Sequence, residues 1–178
     1  LHALVPETLD ILPRLKECSF TESGAYHPVF PIVPAEEVVR QLQLNSLGNR
    51  KHMGENYHPQ GVFPPEMAID PGTVRILGKL GYRWTITDDI PWVFSGREVP
   101  SSWIPGVNGT GVFLRSNFWS NLISFHGDDG EALAGKMTDD LGDWTGEEDS
   151  YLVLAMDGET FGHHRPGAVE SFLRPFLE

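Results

Sequence analysis

The stretch that most constrains this chain is Gly61 to Asp89, GVFPPEMAIDPGTVRILGKLGYRWTITDD. It reads as strand, turn, helix, strand. Gly61, Val62 and Phe63 form a short apolar run. Pro64 and Pro65 end it, because proline cannot donate to a sheet ladder. Glu66 follows at once, a carboxylate at the C-terminal end of a buried strand. Asp70 offers an N-cap and Pro71 suits the first helical position. Val74, Leu77 and Leu80 keep helical spacing, with Gly81 as the stop. Tyr82 to Thr87 is aromatic and β-branched, which predicts a second strand ending in Asp88 and Asp89. Such a unit closes as a right-handed parallel crossover. Acids at the C-terminal ends of successive parallel strands lie where a β/α barrel gathers its chemistry.

A second stretch repeats the design. Tyr151 to Met156, YLVLAM, predicts a continuous apolar strand, and Asp157, Gly158 and Glu159 close it. The interval between Glu66 and Asp157 has room for two or three β/α units. Phe63, Ile86 and Leu154 are expected to be buried.

Around these stretches the chain alternates. Thr8 and Leu9 open a broken helix, interrupted at Pro13 and running on through Lys16 and Glu17. Ala25 to Val33 reads as extended, with His27 at its centre. Pro34 opens a helix with Val38, Val39, Leu42 and Leu47 inward, followed by a polar connection over 48–60. Ile90 to Gly111 reads as a long loop, a kind of segment that is usually functional. Val112 to Leu114 is a short strand ending in Arg115. Asp128 to Leu141 reads as a helix stopped by Gly142, and Gly142 to Ser150 as an acidic turn. A last helix, Ala168 to Phe176, turns Val169, Phe172, Leu173 and Phe176 inward. The alternation predicts a parallel α/β fold. A closed eight-stranded barrel takes about 250 residues, so 178 residues with four good strands imply one domain, or part of one, holding an open sheet or an incomplete barrel.

Charge narrows the partners. There are 25 acidic and 13 basic side chains, a formal net charge of −12, and no basic stripe. That argues against nucleic acid and anionic membranes, and it suits a neutral ligand such as a sugar. No apolar run is long enough to span a bilayer. Cys18 is the single cysteine, so no internal disulfide forms and a cytoplasmic setting is expected. The sequence opens with Leu1 rather than methionine, so its natural N-terminus is expected to lie further upstream.

Two carboxylates flanking one bond are the usual means of cleaving a glycoside. Glu66 and Asp157 have the right chemistry; as plain residues, each could equally be a capping or solvated acid. Their surroundings carry more information. GVFPPEMAID and LAMDGETFGHHRPG resemble the third and fourth signature regions of glycoside hydrolase family 57. AYHPVFPIVP resembles the second, and RSNFWSNLISF resembles the segment between the third and fourth. The resemblance runs from Ala25 to Phe176. It implies a (β/α)7 barrel, a retaining mechanism and α-glucan-type substrates. It implies Glu66 as nucleophile, Asp157 as general acid/base and His27 as a residue lining the sugar site. The family's first region, a His-Gln-Pro triplet, and its fifth are not found in the sequence. His58-Pro59-Gln60 is out of order and is not equated with the triplet.

Other residues are candidates from position. His163 and His164 either bind a metal or contact sugar hydroxyls, and sugar contact is preferred, with Glu159 beside them. Asp88 and Asp89 orient substrate, hold a metal, or cap the next segment. Arg115 pairs with one of these acids. His126 forms a polar cluster with Asp128 and Asp129, which capping partly explains. Trp92 and Trp103, in the long loop, are possible stacking platforms. Within the catalytic pair, Asp157 is expected to be the more buried or the closer to Glu159, and Glu66 to sit near His27 or Arg115. His27, Glu66, Asp88, Asp157 and His163 are expected to converge.

Two other functions fit some of these residues. A metal-dependent polysaccharide deacetylase could use Asp88 and Asp89, but no HxxxH pair occurs among the seven histidines. A non-catalytic glycan-binding fragment would explain the absent first region. No cofactor or metal is expected. The expected partners are an oligo- or polysaccharide, and the rest of a longer chain or a second subunit covering exposed sheet edges.

Overall fold

The computed structural model describes residues 10–15, 18–126, 129–145 and 149–178. Thr8, Leu9, Lys16, Glu17 and Asp128 lie outside the described residues. The chain divides into two compact units: residues 1–87 with 105–113, and residues 88–104 with 114–178. The fold is mixed α/β, with one mostly parallel four-stranded sheet among many helices.

The first unit holds helices α1 (Ala35–Met53) and α2 (Pro71–Lys79). It also holds the body of the sheet, built from β1 (Gly61–Val62), β2 (Trp84–Asp88), β3 (Gly106–Val107) and β4 (Thr110–Arg115). The strand order is β1-β2-β4-β3. β1 and β2 pair in parallel, with Gly61 opposite Trp84 and Val62 opposite Thr85. The crossover between them is α2. Asp70 caps it as expected, its carboxylate accepting from the Thr73 backbone N–H and hydroxyl, both at 2.7 Å. Those bonds, the backbone one first, hold the Asp70 carboxyl below its ordinary range. Gly61 has a packing reason to lack a side chain: a Cβ there would lie 2.1 Å from the Trp84 ring.

Phe30, Val38, Leu42, Val62 and Leu77 form the apolar core of this unit. Beside it lies a buried acid. Glu22 is fully enclosed and accepts from the Tyr57 hydroxyl (3.0 Å), the Tyr82 hydroxyl (3.3 Å) and the Asn45 amide. Its backbone bridges Val62 in parallel, so this acid is also stitched to β1.

Several expectations change here. α1 runs on through Gly48 to Met53, where a polar connection was expected. Leu47 is exposed, because it falls on the solvent side of the extended helix. Phe63 is only half-buried, while Ile86 is buried. Ala25 to Val33 is not extended throughout: Phe30–Ile32 is a 3-10 turn. The end of the expected long loop is a hairpin, β3 pairing antiparallel with β4. Asn108 and Gly109 turn it at φ 51° and 86°, the left-handed pair that a two-residue hairpin requires.

The second unit holds α3 (Ile90–Phe94), α4 (Asn117–Asn121), α5 (Gly130–Thr145) and α6 (Arg174–Leu177). α3 takes up the start of the expected loop. A single π turn, Leu122–His126, extends α4, and another, Val169–Leu173, leads into α6. The core is Trp119, Ile123, Leu133, Ala168 and Phe172, with Leu152, Leu154 and Met156 packed against it. Leu154 is therefore part-buried. α5 passes through Gly142, a glycine being tolerable inside a helix. Asp129 caps it, accepting from Ala132 N–H at 3.0 Å. Val169 is exposed rather than inward, because the π turn rotates it off the core face. Tyr151 to Met156 is not a continuous strand: its one ladder contact is a parallel bridge from Val153 to Arg115. Among the described residues no helix is long and apolar enough to cross a membrane.

Candidate active site

In the first unit, Glu66 sits where β1 runs out. Pro64 is extended, and Pro65–Met67 makes a tight 3-10 turn. Glu66 and Met67 both adopt left-handed backbone, φ 56° and 50°. Neither is glycine, so each conformation costs on the order of 1 kcal/mol or more. The turn is pinned by Met67 N–H to the Pro64 carbonyl (2.9 Å) and by the Thr87 hydroxyl to the Met67 carbonyl (2.9 Å).

His27 stands opposite in the same condition, at φ 56°. Its turn is pinned by Gln41 of α1, whose side-chain oxygen accepts from Tyr26 N–H at 2.8 Å. The ring atom Nε2 of His27 lies 2.8 Å from Oε1 of Glu66. An ionised carboxylate can only accept, so His27 Nε2–H donates to it, which fixes the tautomer. Both side chains are 69% exposed, so this strained pair is open to a ligand.

In the second unit, Asp157 begins the 3-10 turn Gly158–Phe161 from unstrained extended backbone, φ −64° and ψ 136°. Its side chain makes no capping bond, and it is exposed. Asp157 and Glu66 are thus both exposed, the chain leaving the second unit's core at Met156. The Glu159 carbonyl gathers the N–H groups of Gly162, His163 and His164, and its carboxylate lies 3.6 Å from His164 Nε2. The rings of His163 and His164 meet edge to face at 5.1 Å. The loop is anchored from behind. Phe161 stacks on Phe172, which stacks on Phe176. The Arg165 guanidinium donates to the Ile123 carbonyl and covers the Phe172 ring at 4.5 Å.

Asp88 and Arg115 meet in this unit through a 2.8 Å bond between Arg115 NH1 and Asp88 Oδ2. Their side chains are 20% and 8% exposed. Burial pushes Asp88 up, but the Asn117 amide, the Ile90 N–H and the Arg115 guanidinium together hold it below its ordinary value. Asp89 is raised, chiefly by burial and then by the neighbouring Asp88 charge, against a backbone bond from Asn117. Asp89 lines a cavity of about 50 Å³ with Ser101, Ser116 and Tyr151. That volume suits a water rather than a sugar ring. His126 ends the π turn and is exposed. Trp103 is 56% exposed and meets Trp92 edge to face at 6.1 Å. Among the described residues no group of three or more His, Cys, Asp or Glu side chains could hold a metal ion.

The structure thus joins His27 to Glu66, Asp88 to Arg115, and His164 to Glu159 and His163. Sequence reasoning missed Asn117, Ser120 and Asn121, which hold Arg115 and Ala155 in place. Asn117 and Asn121 stand four apart on α4, a spacing that puts both on one helical face.

A profile of Glycosyl hydrolase family 57 matches residues 3–178. The chain belongs to that family. An alpha-amylase of Pyrococcus horikoshii is 31% identical over 94 residues, 51% of this chain and 14% of that protein. The crystal structure of a 4-alpha-glucanotransferase from Thermococcus litoralis superposes with a TM-score of 0.78 at 23% identity, covering 99% of this chain and 28% of that one. A branching enzyme from Pyrococcus horikoshii gives 0.77 at 16% identity, covering 99% and 45%. At those identities the structural likeness shows the fold. This chain spans less than half the length of each relative.

Proposed function

We propose that this chain is part of the catalytic domain, a (β/α)7 barrel, of an α-glucan-active glycoside hydrolase or glucanotransferase. The observation that carries the reading is the Glu66–His27 pair, two exposed residues held on left-handed backbone and bonded at 2.8 Å, in a chain of family 57. Strain of this kind persists where the surroundings enforce it, and it concentrates at working sites.

Glu66 is the nucleophile of a retaining double displacement. Its carboxylate attacks the anomeric carbon as the glycosidic C–O bond breaks. Asp157, protonated, gives its proton to the leaving oxygen. Water or an acceptor hydroxyl then attacks the glycosyl ester, Asp157 takes up the proton, and Glu66 is released. His27 orients the Glu66 carboxylate. His126, Glu159, His163 and His164 are assigned to sugar hydroxyls and Asp89 to a water in its small cavity, while Asp88 and Arg115 support the acid/base segment. The rest of a longer chain, or a second subunit, supplies the remaining subsites. A cytoplasmic setting is part of the proposal and rests on Cys18 being the single cysteine.

The test is kinetic. In the full natural chain, Glu66→Ala abolishes turnover of α-glucan, and added azide restores it with a glycosyl azide of inverted configuration. A Glu66→Ala enzyme with wild-type turnover overturns the assignment. So does activity that depends on a chelatable metal, which would favour the deacetylase chemistry.

A further inference from the structure

We propose that Arg115 and Ser120 are positioning residues for Asp157, acting through the peptide groups of Ala155. The proposal rests on the reading of Asp157 as general acid/base. The segment that delivers Asp157 leaves its sheet-like pairing at Val153, whose carbonyl accepts from Ser116 N–H at 2.9 Å. Beyond that point two side chains take the place of a neighbouring strand. The Ser120 hydroxyl accepts from Ala155 N–H at 3.2 Å, and Arg115 Nε–H donates to the Ala155 carbonyl at 2.7 Å. Ser120 is fully buried and Arg115 nearly so. Asp157 lies two residues further on, exposed and without a capping bond of its own.

A clamp is useful only if its jaws are fixed, and these are. Arg115 NH1 donates to Asp88 Oδ2 (2.8 Å), and NH2 donates to Asn121 Oδ1 (2.8 Å). Asn121 Nδ2 donates to Asn117 Oδ1 (3.1 Å), and Asn117 Nδ2 returns to Asp88 Oδ2 (3.0 Å). Four side chains therefore close a hydrogen-bonded ring. The ring fixes the plane of the guanidinium, and its remaining edge aims Nε–H at Ala155. A lysine at 115 keeps the charge beside Asp88, but a compact ammonium cannot reproduce a planar fork with three separate acceptors. Arg115 and Asp88 thus serve the acid rather than the sugar.

The experiment uses the full natural chain and compares kcat/KM on a maltooligosaccharide with kcat/KM on an α-glycosyl fluoride. Both values report the first displacement, and only the oligosaccharide needs a proton on its leaving group. Asp157→Ala is the reference. Arg115→Lys and Ser120→Ala should each lose at least ~10-fold more on the oligosaccharide than on the fluoride, within the range that general acid catalysis commands. Equal losses on both substrates, or no loss, while Asp157→Ala shows the split, overturn the clamp alone. If Asp157→Ala itself shows no split, the acid/base reading fails and the clamp falls with it. Should Arg115→Lys not fold, Ser120→Ala decides, since it removes one buried oxygen and no charge.

Discussion

The turn that carries Glu66 and the turn that carries Asp157 hold similar exposed acids by different means. Glu66 is aimed by its own backbone, through two consecutive left-handed residues, and His27 meets it. Asp157 rests on ordinary extended backbone, and the stiffness of its segment comes from buried side chains that grip Ala155. Strain concentrates the constraint at the acid itself. A clamp spreads it over Asp88, Arg115, Asn117, Ser120 and Asn121. The first arrangement should tolerate change in its neighbours and not in the acid. The second should be sensitive at every member.

The largest expected contrast is chemical. Glu66→Ala should leave no measurable turnover on any glucan substrate, whereas Asp157→Ala should lose about 10²–10⁴-fold on poor leaving groups and far less on activated ones. Equal profiles for the two variants, measured on both substrate classes, would erase the distinction.

Next comes stability in the second unit. Asp88→Ala leaves the Arg115 guanidinium buried without its counter-charge and should cost about 3 kcal/mol in denaturant unfolding at neutral pH. Asp88 is held below its ordinary value in the folded protein. Its contribution is therefore complete above the unfolded carboxylate value, about pH 4, and is lost as pH falls through the lower folded value. The gap between wild type and variant should close on acidification. Asp89 is shifted the other way, mainly by burial. Asp89→Asn should accordingly be neutral or slightly stabilising at pH 7.

The smallest effect sharpens the comparison most directly. Met67→Gly removes a side chain from left-handed backbone and should stabilise the protein by about 0.5–1 kcal/mol. The same replacement at Asp157, where φ is negative, should bring no gain. Thermal melts of the two variants would show whether strain is confined to the Glu66 turn.

Much of the first unit was legible in the sequence, because its signals are local. Pro64-Pro65 ends β1, and Asp70-Pro71 starts α2, each by the chemistry of one or two residues. The Asn108-Gly109 hairpin had an equally local signal, hidden inside a stretch rich in Pro, Gly and Trp. The second unit was less legible for a physical reason. Tyr151 to Met156 has strand composition, but Arg115 and Ser120 satisfy the Ala155 peptide groups that a neighbouring strand would otherwise meet. No pattern within six residues reveals partners some forty positions away in the chain. The π turns likewise defeat a helical count: one extra residue in the turn rotates Val169 to solvent. For the candidate site, wording marked Glu66, Asp157 and His27, while the asparagines and serine behind Arg115 carry no distinctive motif.

The enclosed Glu22 gives the first unit a spectroscopic signature. Burial, reinforced by the Glu22 charge, pushes the Tyr57 phenol up to about 12 and raises Tyr82 as well. An unfolded chain would release both protons near pH 10. The folded unit keeps them, so this stabilisation is intact below about pH 10 and fades as alkali drives pH through the folded values. Burial also raises Tyr151 in the second unit, so tyrosinate absorbance in an alkaline titration is to be read in a Tyr151→Phe background, against the unfolded chain as reference. A later, steeper rise from Tyr57 and Tyr82 marks the moment when the region supporting β1, and with it Glu66, comes apart.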